Sequence, residues 1–220
     1  MGEKNLHIAL KQWYSHPGDL LEANIDGHII DILRGDKIIE IQTSNFSAIK
    51  PKLNFFLNRY SIHLVYPISE NKWIVRIDST NKTILSRHKS PRKGRLEDIF
   101  LELVYIPLLM KNPNFSLEVL LINSEEVLVN DGLGSWRRNR WSIHERQLLS
   151  VNEQIVFSNP TDFQSLLPST LPEEFTTKDL AKELKLQQTI AQKMTYCLRL
   201  LNVIKIVGKQ NRATLYTQYL

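Results

Sequence analysis

Three carboxylates stand nine residues apart near the start of the chain: Glu22, Asp31 and Glu40. Two turn signals separate them, Asp26-Gly27 and Gly35-Asp36. Asp-Gly is a strong two-residue hairpin signal. If both turns have two residues, Ile25 faces His28, Glu22 faces Asp31, Leu33 faces Ile38 and Asp31 faces Glu40. The acids then form one row across three antiparallel strands. Like charges directly opposed in a sheet repel. Asp31 is flanked by Ile29, Ile30, Ile32 and Leu33, and Glu40 by Ile38, Ile39 and Ile41. Strands apolar on both faces belong in a domain centre, where charge is costly unless paired or bound to metal. A hard divalent cation, held by oxygen ligands, would remove the penalty. The competing reading is a solvated hairpin edge.

The elements that must position these acids follow from the flanks. Leu6 to Tyr14 reads as a helix. Gln42 shares the face of Glu40 by strand alternation. Thr43-Ser44-Asn45 then breaks the strand and can cap a helix running from Phe46 or Ser47 to Arg59. That helix carries Lys50 and Lys52, and Pro51 fits its first turn if the helix starts near Lys50. A strand follows from Ile62 to Pro67.

Asp31 and then Glu40-Ile41-Gln42 on a hairpin, followed by a helix and a strand, resemble the PD-(D/E)xK nuclease superfamily, the restriction-endonuclease-like fold. The likeness covers roughly residues 6–68 and extends less closely to about Phe157. It implies an α/β core with a central mixed sheet flanked by helices. It further implies a Mg²⁺ or Mn²⁺ ion on Asp31, Glu40 and the Ile41 carbonyl, with Gln42 helping to place the attacking water and Glu22 completing the shell or holding a second ion. Gln42 departs from the family's usual lysine. An amide can orient water but cannot act as a general base; the resemblance implies either outcome, since a minority of restriction enzymes with Gln or Glu there remain active and other nuclease-fold proteins without the lysine no longer cleave. Lys50 or Lys52 could restore the missing charge. A metal fits phosphodiester hydrolysis because it lowers the pKa of bound water and stabilises the charge that develops.

The 220 residues suffice for one medium or two small domains. A net charge of +5 suits an anionic partner, and 42% hydrophobic content supports a packed core. The single cysteine, Cys197, rules out an intramolecular disulfide and points to the cytoplasm. The first residues lack the apolar run of a signal peptide. The longest apolar segment, Ile99 to Met110, is interrupted by Glu102 and Pro107 and is too short to span a bilayer, so no membrane partner is expected.

Trp73 to Ile77 alternates as a strand. Residues 81–95 then carry Lys82, Arg87, His88, Lys89, Arg92, Lys93 and Arg95 with no acid, and read as a loop that could follow a phosphate backbone. Leu96 to Met110 reads as one apolar helix, and Ser116 to Ile122 and Glu126 to Val129 as two strands. The run from Gly134 to Trp141 interleaves Arg137, Arg138 and Arg140 with Trp136 and Trp141, a mix that can grip phosphates and stack on bases.

Ser158-Asn159-Pro160 marks a boundary, giving a domain over 1–157 and a second over 158–220. In the second, a short helix from Thr176 to Leu184, a turn, a helix from Gln187 to Leu201 and a hairpin (Val203–Val207, Thr214–Gln218) resemble a winged helix-turn-helix. The resemblance implies that the second helix enters the major groove of duplex DNA through Gln187, Gln188, Thr189, Gln192, Lys193 and Tyr196, with Lys205, Lys209 and Arg212 on the wing. The expected function is a metal-dependent DNA endonuclease. The rivals are a catalytically silent nuclease-fold DNA-binding or regulatory protein, and an interaction module dimerising through the winged helix. A homodimer would suit cutting of both strands.

Overall fold

The computed structural model describes residues 3–80, 82–136 and 139–219. Helix α1 (Glu3–Tyr14) opens the chain, and strands β1 (Leu20–Ile25), β2 (His28–Arg34) and β3 (Lys37–Ile41) follow. Their register is the one that two-residue turns predict. Ile25 pairs with His28, Asn24 with Ile29, Leu33 with Ile38 and Arg34 with Lys37. Gly27 and Gly35 take φ of +80° and +59°, values a glycine reaches without steric cost.

The chain is a mixed α/β fold around a central mixed sheet. The strand order is β1-β2-β3-β4-β6-β7, with β5 paired to β4. Here β4 is Ser61–Ile77, β5 Ile84–Lys89, β6 Phe115–Val129 and β7 Ser142–Phe157. By packing, the residues form two compact units. One comprises residues up to Thr43 with 65–96 and 119–155, and the other 44–64, 97–118 and 156–220.

Several expected breaks are absent. Strand β4 joins what read as Ile62–Pro67 and Trp73–Ile77, and β6 joins what read as two strands. The polar residues that looked like interruptions satisfy one another. Ser69 Oγ lies 2.7 Å from Ser124 Oγ. Asn71 Nδ2 donates to Asn123 Oδ1 at 2.9 Å, and Asn123 Nδ2 donates to Ser150 Oγ at 2.9 Å on β7. Fully partnered polar groups inside a sheet cost little. The basic stretch 81–95 is not a loop throughout: β5 pairs with β4, placing Lys89 opposite Trp73 and Arg87 opposite Val75. Residues beyond it are tied to β4 by Ser90 N–H to Lys72 O at 2.7 Å and Gly94 N–H to Ser69 O at 3.0 Å. A Cβ at Gly94 would meet Ser69 O at 2.5 Å, so only glycine fits this approach.

Leu96 to Met110 is likewise not one helix. It breaks into a 3-10 turn (Leu96–Ile99), a short α3 (Phe100–Leu103) and a second 3-10 turn (Pro107–Lys111). Proline lacks the N–H and pushes the residue before it out of helical geometry; Ile106 has φ −135°. Helix α2 (Phe46–Phe56) starts before Lys50, so Pro51 falls inside it rather than in its first turn. Asn45 makes no side-chain cap. Instead Glu102 Oε2 accepts the Phe46 N–H at 2.9 Å, and its negative charge also suits the helix N-terminus.

The first unit packs Leu6 and Leu10 of α1 onto Ile32, Ile39, Ile41, Val65, Leu120 and Ile122. Each such side chain contributes roughly 1.5–3 kcal/mol when fully buried. In the second unit Phe163 stacks on Phe157 at 4.2 Å and lies 6.2 Å from Phe100. There α4 (Thr177–Glu183) starts with a capping box between Thr176 and Asp179. Helix α5 (Gln188–Leu200) buries Ile190, Met194, Cys197 and Leu198. Strands β9 (Ile204–Gln210) and β10 (Ala213–Gln218) form a hairpin that β8 (Glu174–Thr176) extends in the order β8-β10-β9. No helix among the described residues is long and apolar enough to cross a membrane.

Candidate functional site

Helix α1 turns Leu6 and Leu10 into the core. His7 and Lys11 sit one step around the helix and one turn apart, so they share a face. That face meets the acids. His7 Nε2 lies 3.0 Å from Asp31 Oδ2, and Lys11 Nζ donates to Glu22 Oε1 at 2.5 Å. Asp31 Oδ2 also accepts the Ile41 N–H at 2.9 Å, and Glu40 Oε1 accepts the Asp31 N–H at 3.3 Å. Each acid is thus fixed to the neighbouring strand's backbone. The paired residues Leu21–Ile32 and Ala23–Ile30 bracket Glu22 opposite Asp31. Glu22 holds φ +51°, a left-handed geometry that costs a non-glycine residue roughly 1 kcal/mol or more.

The acids differ in exposure. Glu40 is 4% exposed, while the side chains of Asp31 and Glu22 are 14% and 67% exposed. A pocket of about 420 Å³ is lined by His7, Ile8, Lys11, Glu22, Ile29, Asp31 and Thr43. The hydrogen bond to Asp31 holds the His7 pKa above its ordinary value; the charges of Asp31 and Glu40 add to this, against burial and Lys11. Lys11 holds the Glu22 carboxyl below its ordinary range through its hydrogen bond and its charge. Gln42 is half-buried, and its backbone N–H bonds Val65 O at 2.9 Å, fastening the end of β3 to β4.

Among the described residues no group of three or more His, Cys, Asp or Glu is arranged to hold a metal ion. Mg²⁺ commonly takes only one or two carboxylates and keeps several waters. Asp31 and Glu40, with the Ile41 carbonyl, match that donor chemistry. His7 and Lys11 were not among the sequence candidates. Their signal was present: a four-residue interval beside an apolar Leu6–Leu10 stripe.

The nucleic-acid candidates are dispersed. Lys50 and Lys52 lie on α2, Arg87 and Lys89 on β5, and Arg92 and Lys93 in the run tied to β4. Arg140 is exposed, and Arg137 and Arg138 lie outside the described residues. Gln187, Gln188, Thr189, Gln192 and Tyr196 are exposed at α5. Lys193 is instead half-buried, donating to Leu101 O at 3.1 Å with its ammonium 5.6 Å from the Tyr105 ring centroid. Val104 and Tyr105 flank that helix face in a pocket of about 350 Å³. Lys205, Lys209 and Arg212 are exposed on the β9–β10 hairpin.

Residues 4–158 match the family described as "Domain of unknown function (DUF8091)". The chain is also 33% identical over 183 residues to an "Uncharacterized protein" of Treponema pallidum (strain Nichols), covering 82% of this chain and 72% of that one. No solved structure matches. With the family match spanning most of its length, the chain belongs to the DUF8091 family.

Proposed function

We propose that this protein is a Mg²⁺-dependent DNA endonuclease with a restriction-endonuclease-like core, whose module at 158–220 is a winged helix-turn-helix holding duplex DNA. One observation carries the reading. Asp31 and Glu40 sit on adjoining strands, Glu40 accepting the Asp31 N–H and Asp31 the Ile41 N–H, within the order helix, three strands, helix, strand. Bound Mg²⁺ would be held by Asp31, Glu40 and the Ile41 carbonyl, and would lower the pKa of its water and stabilise developing charge. The chain's own groups prepare the site. The Ile41 N–H fixes Asp31 and the Asp31 N–H fixes Glu40, so neither carboxylate must be ordered when substrate arrives. Lys11 supplies a buried ammonium at the pocket wall, a positive charge to replace the one Gln42 lacks. His7 orients Asp31 through a second contact on the same oxygen, Oδ2.

The test is incubation with supercoiled, linear and branched DNA in Mg²⁺ or Mn²⁺, beside Asp31→Ala. Metal-dependent nicking that Asp31→Ala abolishes supports the reading. A second reading, a catalytically silent nuclease fold that binds DNA, is favoured by the His7–Asp31 and Lys11–Glu22 pairs, which offset the acids without a metal. DNA binding without cleavage, with cleavage gained in Gln42→Lys, would establish it.

A further inference from the structure

Between Lys72 and Arg95 the chain carries eight Lys and Arg against the single acid Asp78, a net +7. The whole chain is +5, so the remainder is net −2. The structure gathers this charge onto one ribbon, the end of β4, β5 and the tied run to Gly94. Two of the four tryptophans, Trp73 and Trp141, meet this ribbon, and Trp136 precedes Trp141 by five residues. Arg87 and Lys89 lie over Trp73, 5.6 Å and 5.3 Å from its centroid, and Arg76 lies 5.2 Å over Trp141. Trp136 is 79% exposed. Glu125 and Glu126 absorb part of the charge through Arg87 and Lys72. Lysines do protect sheet edges from pairing with other chains. One or two would serve that purpose, and protection needs no indoles.

We infer that the β4–β5 ribbon binds single-stranded nucleic acid. Phosphates meet the lysines and arginines, while unpaired bases stack on indoles and on arginine planes. Bases inside a duplex are stacked on one another and cannot do this, so the preference separates this surface from one that only follows a backbone. Resting on the nuclease reading, the inference gives the substrate an unpaired segment, as at a branch, a flap or a frayed end.

The test is fluorescence anisotropy in EDTA, where no cleavage is needed, with a labelled single strand, its blunt duplex and, as competitor, phosphatidylserine vesicles. The wild type should bind the single strand more tightly than the duplex. Lys89→Glu/Arg92→Glu/Lys93→Glu should weaken strand binding at least tenfold and flatten its log–log salt slope by about 2, at roughly 0.7 per lost phosphate contact. Trp136→Ala, an exposed change that leaves the core intact, should weaken it about tenfold. Equal or tighter duplex binding, strand affinity unchanged in both variants, or vesicles bound in preference to the strand overturns the inference. Strand binding without Mg²⁺-dependent cleavage sinks the nuclease reading alone; cleavage without strand preference sinks this one alone.

Discussion

His7 Nε2 lies 3.0 Å from Asp31 Oδ2, a link between α1 and β2 that anchors Asp31 to the first helix. The partner raises the pKa of His7 above 6.5. A raised folded-state pKa gives stabilisation that is complete below the unfolded value and is lost as pH rises through the folded value. The stability gap between wild type and His7→Gln should therefore be widest in mild acid and shrink on the alkaline side of 6.5. Thermal melts across this range, with the His7 ring titrated by NMR, measure it. A gap that grows with pH rules out the pairing.

Asp31→Ala and Glu40→Ala should each abolish Mg²⁺-dependent cleavage while DNA binding stays intact or improves, because both carboxylates repel phosphate when no metal is bound. Glu40 is buried, so Glu40→Gln separates loss of charge from loss of packing. Cleavage assays paired with binding in EDTA distinguish the two.

On the nuclease reading, Lys11→Met should cut the cleavage rate by up to roughly 100-fold, the scale of one electrostatic donor in an enclosed site, since its partner Glu22 is 67% exposed. Gln42→Ala should cost less, since it removes orientation rather than charge. Gln42→Lys should be tolerated, and should partly rescue Lys11→Met if the two positions serve the same charge. Rescue that fails while both proteins fold separates their roles.

Asp19 accepts Arg34 Nε and Nη2 at 2.8 Å each, and Arg34 holds its carboxyl down to about 2. A depressed carboxylate stabilises above its unfolded value and loses that contribution as pH falls through the folded one. Acid titration should show a step between about 4 and 2 that Asp19→Asn removes. An unchanged profile would contradict the ion pair.

Phe163→Ala should destabilise by about 3–5 kcal/mol, as for a large buried aromatic, read from urea unfolding. The stack on Phe157 also means that deleting everything after Phe157 would uncover apolar surface. The proposed duplex binding by residues 158–220 is better tested by Lys209→Ala and Arg212→Ala, each of which should lower the salt slope by about 1.

What the sequence disclosed was local. Two glycines needing positive φ set the β1–β2–β3 register, so Asp31 beside Glu40 was legible. The C-terminal helices and hairpin were legible because Thr176, the α5 apolar stripe and Asn211-Arg212 punctuate the chain within a few residues. What failed depended on distant partners. Ser69, Asn71, Asn123 and Ser124 look like strand breaks until they meet one another across β4 and β6. The α2 start was legible at Phe46, but its cap was not: Glu102, more than fifty residues away, takes the place expected of Asn45. His7 and Lys11 were overlooked because their meaning appears only when α1 lies over the hairpin.

Cys197 is buried on α5, and desolvation pushes its thiol up to about 12. A thiol so protonated and enclosed reacts with alkylating agents only when α5 lifts from its neighbours. With no other cysteine in the chain, the labelling rate becomes a stopwatch for that opening. It can be read on the unmodified protein, with DNA present or absent, to learn whether an occupied surface keeps the helix shut.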